Sequence, residues 1–535
     1  MEKNINIDGQ VNATVVTYEQ FGAIGDGVAD DSAAIRRAHE YANEKGLTVL
    51  GRADAKYRIG ALETTIPIKT STDWNGAEVI FDDTTVHWQS NLRSVYVFTV
   101  LPTVPVEKVE IPAGMSLKKG QSNVGMTFDK PCMLKLENEN EKIYKRYGEN
   151  ANGGVPKNEM ILVDEFGNVD PTTPIQYDYN ELTKISLYST DDEPITVGNA
   201  RFSTSVLNPK LTEPDYENNY CYYNRGLHVT RSNTTVSHIE HRNYGEDMTI
   251  EIDRNGDGII DKWGADKSYG VPYHGFFYFS GCNNSKITDC RLQGHQAYSF
   301  YQGATRNEKG SVRNEMGSYD MNAIDCINLS FLNLVQYENK ETGETITNRF
   351  MYHGIMGSNF CRNVVMDNCY LDRFDSHQGV HNARITNCTL GFGILVIGGG
   401  DLYIENVHRV SGNGFIHLRM DYNSVFDGDV VMRNCRMGEQ MTRVIEGLWI
   451  SHYNGLPNAV TKTLDIDGLV CENDSVDLYS IRNADAAALT DEVNPLYLPE
   501  LVKVKNVFKA DGVTPLKPNV AVEREAFEAV KFICE

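Results

Sequence analysis

No stretch of the 535 residues offers the roughly 18 consecutive apolar side chains that a membrane-spanning helix needs; the best run, Val95 to Val106, is broken by Pro102, Pro105 and two threonines. Cysteine is sparse: eleven residues, an odd number with no CxxC pair, are too dilute for a disulfide scaffold and exclude a zinc ribbon or redox dithiol, so most are expected to be core thiols. Basic residues are also short: 50 Lys and Arg against 73 Asp and Glu give 50 − 73 = −23, a charge that repels phosphate backbones and argues against nucleic acid as a partner. Phosphate loops, dinucleotide fingerprints, nucleophile elbows and helical His-x-x-x-His pairs are absent, so no nucleotide or nicotinamide cofactor is expected. The opening MEKNINIDGQ lacks an apolar leader segment, as expected of a processed mature form or of a protein not exported by that route.

What the chain does contain is a globular composition, 41% hydrophobic, 10% aromatic and 23% charged, in a length that demands several domains or one elongated repeat. Asp30, Asp31 and Ser32 followed by Ile35, Ala38, Tyr41 and Ala42, with Gly46 as the stop, predict one amphipathic helix with an acidic N-cap. Beyond it lie short segments rich in Val, Ile, Thr and Tyr between Gly, Asn and Asp, as in β structure. From about residue 226 a repeat is visible in ITDCRL (287–292), VMDNCYL (365–371), ITNCTL (385–390) and VMRNCRM (431–437). Cys369, Cys388 and Val407 share one slot at steps of 19, and Tyr273-His274-Gly275, Cys282 and Cys290 recur 79 residues later as Tyr352-His353-Gly354, Cys361 and Cys369, several turns on. Such periods predict a β-solenoid whose stacked rungs bury inner ladders of Cys, Val and Leu.

The segment YEQFGAIGDGVADDSAAI (18–35) resembles the N-terminal signature of the pectate lyase and rhamnogalacturonase-type right-handed parallel β-helix superfamily. The resemblance implies a glycine-rich turn at Gly25-Asp26-Gly27, a capping helix and a parallel β-helix. The expected organisation is all-β: a cap with first rungs (1–88), an inserted β-rich region (89–210), the main parallel β-helix (211–480) and a C-terminal tail or cap (481–535). The superfamily includes hydrolases, lyases, epimerases and phage tailspikes, so the cap signature does not name a reaction. The ordered motifs of the polygalacturonase-type hydrolases are missing, whereas Phe374-Asp375-Ser376-His377 is similar to the Phe-Asp-any-His of mannuronan C5-epimerases.

Strand alternation is expected to put Arg373, Asp375 and His377 on one face with Phe374 on the other, and likewise His417, Arg419 and Asp421 on one face further on. The glycines of Gly391 to Gly400 would leave a trough between these rungs. Asp375 and His377 are the candidate acid–base residues, with Arg419 and Asp421 in catalytic support; Arg373, Gln378, His381, His417, His295, Tyr298, Tyr319, Asp320 and His353 are candidate substrate contacts. Asp253, Asn255, Asp257 and Asp261 match the first nine positions of a calcium loop whose position 12 is Gly264, and suggest a structural Ca2+. The expected function is cleavage of glycosidic bonds in an acidic, uronate-containing polysaccharide by hydrolysis or β-elimination. The alternatives are a phage or prophage tailspike-like glycan binder and a uronate C5-epimerase. The enzyme reading goes with a monomer and an extracellular or cell-surface location after leader removal; otherwise the chain is virion-associated or cytoplasmic, and a trimer if tailspike-like.

Overall fold

The computed structural model describes residues 14–84, 95–147, 152–205, 225–245, 274–294, 319–336, 359–450, 456, 458–485 and 487–535, with the main chain alone at 251–252, 262–263, 296–300, 312–316 and 356–358. Contacts divide the chain into two compact units, one of residues up to Thr103 with Asp192–Phe279 and Ser285–Met321, the other of Val104–Asp191, Ser280–Asn284 and Asn322–Glu535. Both are built mainly from parallel strands, and the fold is a right-handed parallel β-helix.

In the first unit the predicted helix runs Ser32–Lys45 and ends at Gly46 with φ 68°, the left-handed stop that glycine allows without strain. It buries Ala34, Ile35, Ala38, His39 and Ala42, while Tyr41 stays 42% exposed and packs on the Phe21 ring, so Tyr41 does not belong to the inner face. Asp31 stands at the N-cap but makes no side-chain bond to the helix. Its carboxylate accepts from the backbone N–H of Ile24 (2.7 Å) and Gly25 (3.1 Å), which ties the glycine turn to the helix start. Tyr57, buried edge-on against Tyr18 at 4.9 Å, accepts from the Arg52 N–H and donates to Glu19. Parallel coils follow: Glu78–Asp82 pairs with Ile195–Ser205, which pairs with Thr234–Tyr244. The chain is thus back in a coil strand at Ile195, inside the region read from sequence as an insertion.

In the second unit Cys361–Asp367, Val380–Thr386, Gly398–Glu405, Phe426–Met437, Thr463–Cys471 and Leu501–Lys509 pair in parallel, one coil on the next. Their register stacks Val364, Ala383, Leu402, Val430, Leu464 and Val502 into one buried ladder and Met366, Ile385, Ile404, Met432, Ile466 and Val504 into another. The residue before each cysteine of the repeat has a separate job. Asn368, Asn387, Asn406, Asn434 and Asn506 all hold φ between 50° and 57°, and Gly468 takes the same slot at 86°. The left-handed residue turns the chain from one sheet to the next, and asparagine tolerates it because its short amide bonds locally; Asn406 Nδ2 donates to Asn387 Oδ1 of the coil before (3.0 Å). The 79-residue echo spans two coils: Cys282 Sγ lies 3.5 Å from Cys326 Sγ, and Cys361 follows one coil on, with steps of 326 − 282 = 44 and 361 − 326 = 35.

An antiparallel sheet, in the order Val155–Val163, Cys132–Tyr144, Lys184–Ser189, Glu107–Val109, packs on its own core of Leu117, Leu134, Leu136, Ile161 and Tyr179. It is fastened to the coils of the same unit by a buried Arg362–Glu159 pair and by Lys135 with Asp325 (2.7 Å). Coil strands continue to the C-terminus, with Lys531–Cys534 pairing on Leu501–Lys509. Among the described residues no helix is long and apolar enough to cross a membrane.

Candidate active site

Strand Tyr370–Asp375 pairs with Thr389–Val396, which pairs with Gly414–Leu418, so Asp375, Leu395 and His417 stand in one row on successive coils. The latter strand ends at Leu418, and the chain turns through a 3₁₀ helix at Met420–Tyr422. That turn changes the expected alternation. Asp421 swings back onto Arg419, whose Nε and Nη2 reach its two oxygens at 3.0 and 2.9 Å, while Arg419 Nη1 lies 2.8 and 2.9 Å from the two oxygens of Asp375. Arg373 Nη2 is 2.9 Å from Asp375, and Arg146, just beyond strand Cys132–Tyr144, places Nε 3.1 Å from Asp421. The Tyr147 N–H donates to the Asp421 carbonyl (2.7 Å). The result is a chain Arg373, Asp375, Arg419, Asp421, Arg146 with three cations and two anions, a local surplus of one positive charge in a protein of net charge −23.

Burial assigns different parts to these groups. Asp375 has no exposed surface, and Arg419 is 9% exposed with all three nitrogens on carboxylates. Asp375, expected to exchange protons with a polymer, and Arg419, expected to grip it, are thus buried and held by ion pairs within the protein. Phe374 is also fully buried, in a row with Ile394 and Ile416 on the opposite side of the strand from the row of Asp375, Leu395 and His417. Burial disfavours the Asp375 carboxylate, yet Arg419 and Arg373 outweigh it and hold its pKa below the usual range. Asp421 behaves likewise under Arg419 and Arg146, with its side chain 29% exposed. His377 is partly exposed, stands edge-on to Tyr422 at 5.6 Å and has Nε2 3.3 Å from its hydroxyl. Burial, then the Arg419 charge, bring its pKa down to about 4 against the pull of Asp375 and Asp421, so the imidazole is neutral at pH 7.

His417 does not join this cluster. Its Nδ1 is 3.1 Å from Glu446 of the next coil, which Arg443 also holds at 3.0 Å. Gln378 and His381 line a cleft of about 10 Å³ beside Tyr144, Tyr177 and the Arg362–Glu159 pair, far smaller than the ~300 Å³ at which ligand pockets begin. Tyr319 and Asp320, expected as substrate contacts, are 2% and 1% exposed and packed against Gly275. The expected glycine trough is filled: a Cβ on Gly398, Gly399 or Gly400 would come within 2.4 Å of an atom of Val380, Asp427 or Asn382, so these glycines let neighbouring coils close up. His295, the Tyr298 side chain, His353 and the calcium loop Asp253, Asn255, Asp257 and Asp261 lie outside the described residues. The sequence reading missed Arg146 and Tyr147. Their only signal was a basic and aromatic pair, KRY (145–147), in an acidic loop.

No protein-family model and no curated protein matches this sequence. Among solved structures, the chain is similar to the Gp54 tailspike of Acinetobacter baumannii bacteriophage AP22, solved in complex with A. baumannii capsular saccharide, at TM-score 0.50 and 12% identity over 99% of this chain and 81% of that one. It is also similar to the tailspike gp61 of Pseudomonas phage phi297, at TM-score 0.49 and 12% identity over 97% and 84% of the two chains. At such identity the likeness establishes the fold alone.

Proposed function

We propose that this protein acts on an acidic, uronate-bearing polysaccharide and cuts its glycosidic bonds, with β-elimination as the reaction that fits the site best. The observation carrying this reading is the positive surplus of the Arg373 to Arg146 charge chain beside a neutral, partly exposed His377. In elimination a guanidinium neutralises the uronate carboxylate, which acidifies the adjacent C5 proton. The His377 imidazole accepts that proton, the C5–H electrons form the C4=C5 double bond, and the C4–O pair leaves with the departing sugar, which takes a proton from water. Arg146, with its side chain 23% exposed, is the guanidinium able to reach a polymer. Hydrolysis is less well supported, because it takes two carboxyl groups flanking the bond, and within this cluster Asp421 alone is exposed.

Glycan binding without turnover is the second reading, favoured by the tailspike at TM-score 0.50, a protein solved with a capsular saccharide. It goes with a trimer, and the enzyme with a monomer. A structural calcium at the Asp253 loop belongs to the proposal on sequence grounds alone. The test is a panel of acidic and neutral polysaccharides scored for reducing ends and for absorbance of unsaturated uronates. Unsaturated products support elimination; reducing ends without them indicate hydrolysis; binding without products leaves the tailspike-like reading; inverted uronates without cleavage indicate an epimerase.

A further inference from the structure

We propose that the first unit carries a second carbohydrate site, selective for a neutral glycan, on the outer face of strands Glu78–Asp82, Ile195–Ser205 and Thr234–Tyr244. The three strands are neighbours in parallel register, Arg201 opposite Glu78 on one side and Glu240 on the other, Ser203 opposite Ile80 and Arg242. Over them lies an open groove of about 280 Å³ lined by Glu78, Arg201, Ser203, Glu240, Arg242 and Tyr244, at the lower edge of the ~300–1,000 Å³ span of small-ligand sites.

The charges in this groove alternate and cancel: Glu78 and Glu240 against Arg201 and Arg242, 2 − 2 = 0. A polyanion gains nothing from such a surface. A vicinal diol gains a great deal, because each hydroxyl is both donor and acceptor and meets carboxylate and guanidinium alternately. The rows are set apart by the inter-strand spacing of about 4.8 Å, close to the length of one pyranose unit. Existing bonds hold the polar groups in place: Ser203 Oγ donates to Glu78 Oε1 (2.8 Å), Lys56 Nζ lies 3.3 Å from Glu78 Oε2, and Arg242 Nε donates to Glu240 Oε1 (2.6 Å). Arg201 presents its guanidinium at the exposed surface. At the end of the groove Tyr244 is 48% exposed, a large aromatic left in water where a sugar ring would cover it. A ladder of cross-strand charge pairs, each worth about 0.2–1 kcal/mol, stabilises a sheet without needing either the concavity or the bare tyrosine.

The experiment is ligand-observed saturation-transfer NMR on the full chain with cello-, malto- and mannohexaose, and with hexagalacturonate in parallel. At least one neutral hexaose is expected to receive saturation. Tyr244→Ala and Glu240→Gln, both surface changes whose folding is checked by melting temperature, are each expected to weaken that signal by about tenfold in affinity. His377→Ala in the second unit is expected to leave it intact. Silence from all three neutral hexaoses, a signal that survives both groove variants, or one lost in His377→Ala instead overturns the assignment. None of these outcomes depends on whether the acidic polymer is cleaved.

Discussion

Arg419 meets both oxygens of Asp375 with a single nitrogen, Nη1, at 2.8 and 2.9 Å, and turns its other two nitrogens to Asp421. One guanidinium thus joins a sealed carboxylate to a partly exposed one, and the sealed member sets the position of the exposed member.

Removing the arginine takes one of two cations from the buried Asp375 carboxylate and leaves Arg373 beside it. Arg419→Ala is expected to destabilise, by less than the about 3–5 kcal/mol of a fully stranded buried charge, and Arg419→Lys to recover little, since a single ammonium cannot serve two carboxylates in this fork. Asp375→Asn with Arg419→Gln should cost less than Arg419→Ala alone, because both charges go together. Denaturant unfolding of the three variants checks this, and equal losses in the double variant and in Arg419→Ala would remove Asp375 as the partner.

The exposed groups carry the chemistry in the proposed reading. His377→Ala is expected to lower turnover on a cleaved acidic polymer by about 100-fold or more in folded protein. Arg146→Ala is expected to act differently, raising the Michaelis constant through weaker ground-state binding, with the loss shrinking on a carboxyl-reduced polymer. Wild-type kinetics in folded His377→Ala would detach the chemistry from this cluster.

The coil was legible because its period is written in side chains that stack on copies of themselves. Cys369, Cys388 and Val407 share a slot in sequence, and the register puts them in a row that continues through Cys435 and Leu469. The asparagine beside them was visible as a letter, but its left-handed turn is a backbone property that alternation does not encode. The site was half legible for the same reason. Asp375 and Arg419 fall close because their coils stack, yet the turn at Met420–Tyr422 breaks the period of two that was used to orient Asp421 and His417. Arg146 comes from a separate antiparallel sheet, and no periodicity links it to the coils.

The ladder and the turn respond oppositely to mutation. Cys388→Val keeps volume in a slot that valine fills one coil later, and is expected to cost under about 1.5 kcal/mol. Asn387→Val puts a branched side chain at φ 54° and is expected to cost more, on the order of 1–2 kcal/mol for the left-handed strain alone. Thermal unfolding of the pair distinguishes the roles; a valine at 388 that unfolds the protein would show the thiol to be more than filler.

Calcium, if held by the Asp253 loop in the native state only, raises the unfolding midpoint in proportion to the logarithm of its excess over the dissociation constant. Midpoints measured in chelator and in calcium are expected to separate for the wild type and coincide for Asp257→Ala. Coincidence in both removes the ion.

Acid sensitivity follows from histidines that the fold keeps neutral. Burial lowers the pKa of His39 to about 3 and of His228 to about 4; burial followed by nearby cations brings His377 to about 4 and His381 to about 3. In the unfolded chain each titrates near its ordinary value of about 6.5. Between those values the unfolded state binds more protons than the native one, so stability rises with pH across this window. The contribution is complete above about pH 6.5 and is lost as pH falls toward 4 and then 3, at up to about 1.4 kcal/mol per pH unit for each histidine. The carboxylates of Asp375 and Asp421, held below their usual range, add their own loss only at lower pH. Unfolding midpoints are therefore expected to fall from about pH 7 to pH 4, offset in part by Glu159 and Asp325, whose burial raises their pKa and so favours the native state as pH falls. His39→Gln tests one of the two largest shares. His39 is fully buried with Nε2 3.0 Å from the Tyr18 hydroxyl, so the variant loses some stability at neutral pH but has no imidazole to charge. Its midpoint should decline less steeply with acid than that of the wild type, and parallel slopes would show that His39 is already protonated in the folded protein.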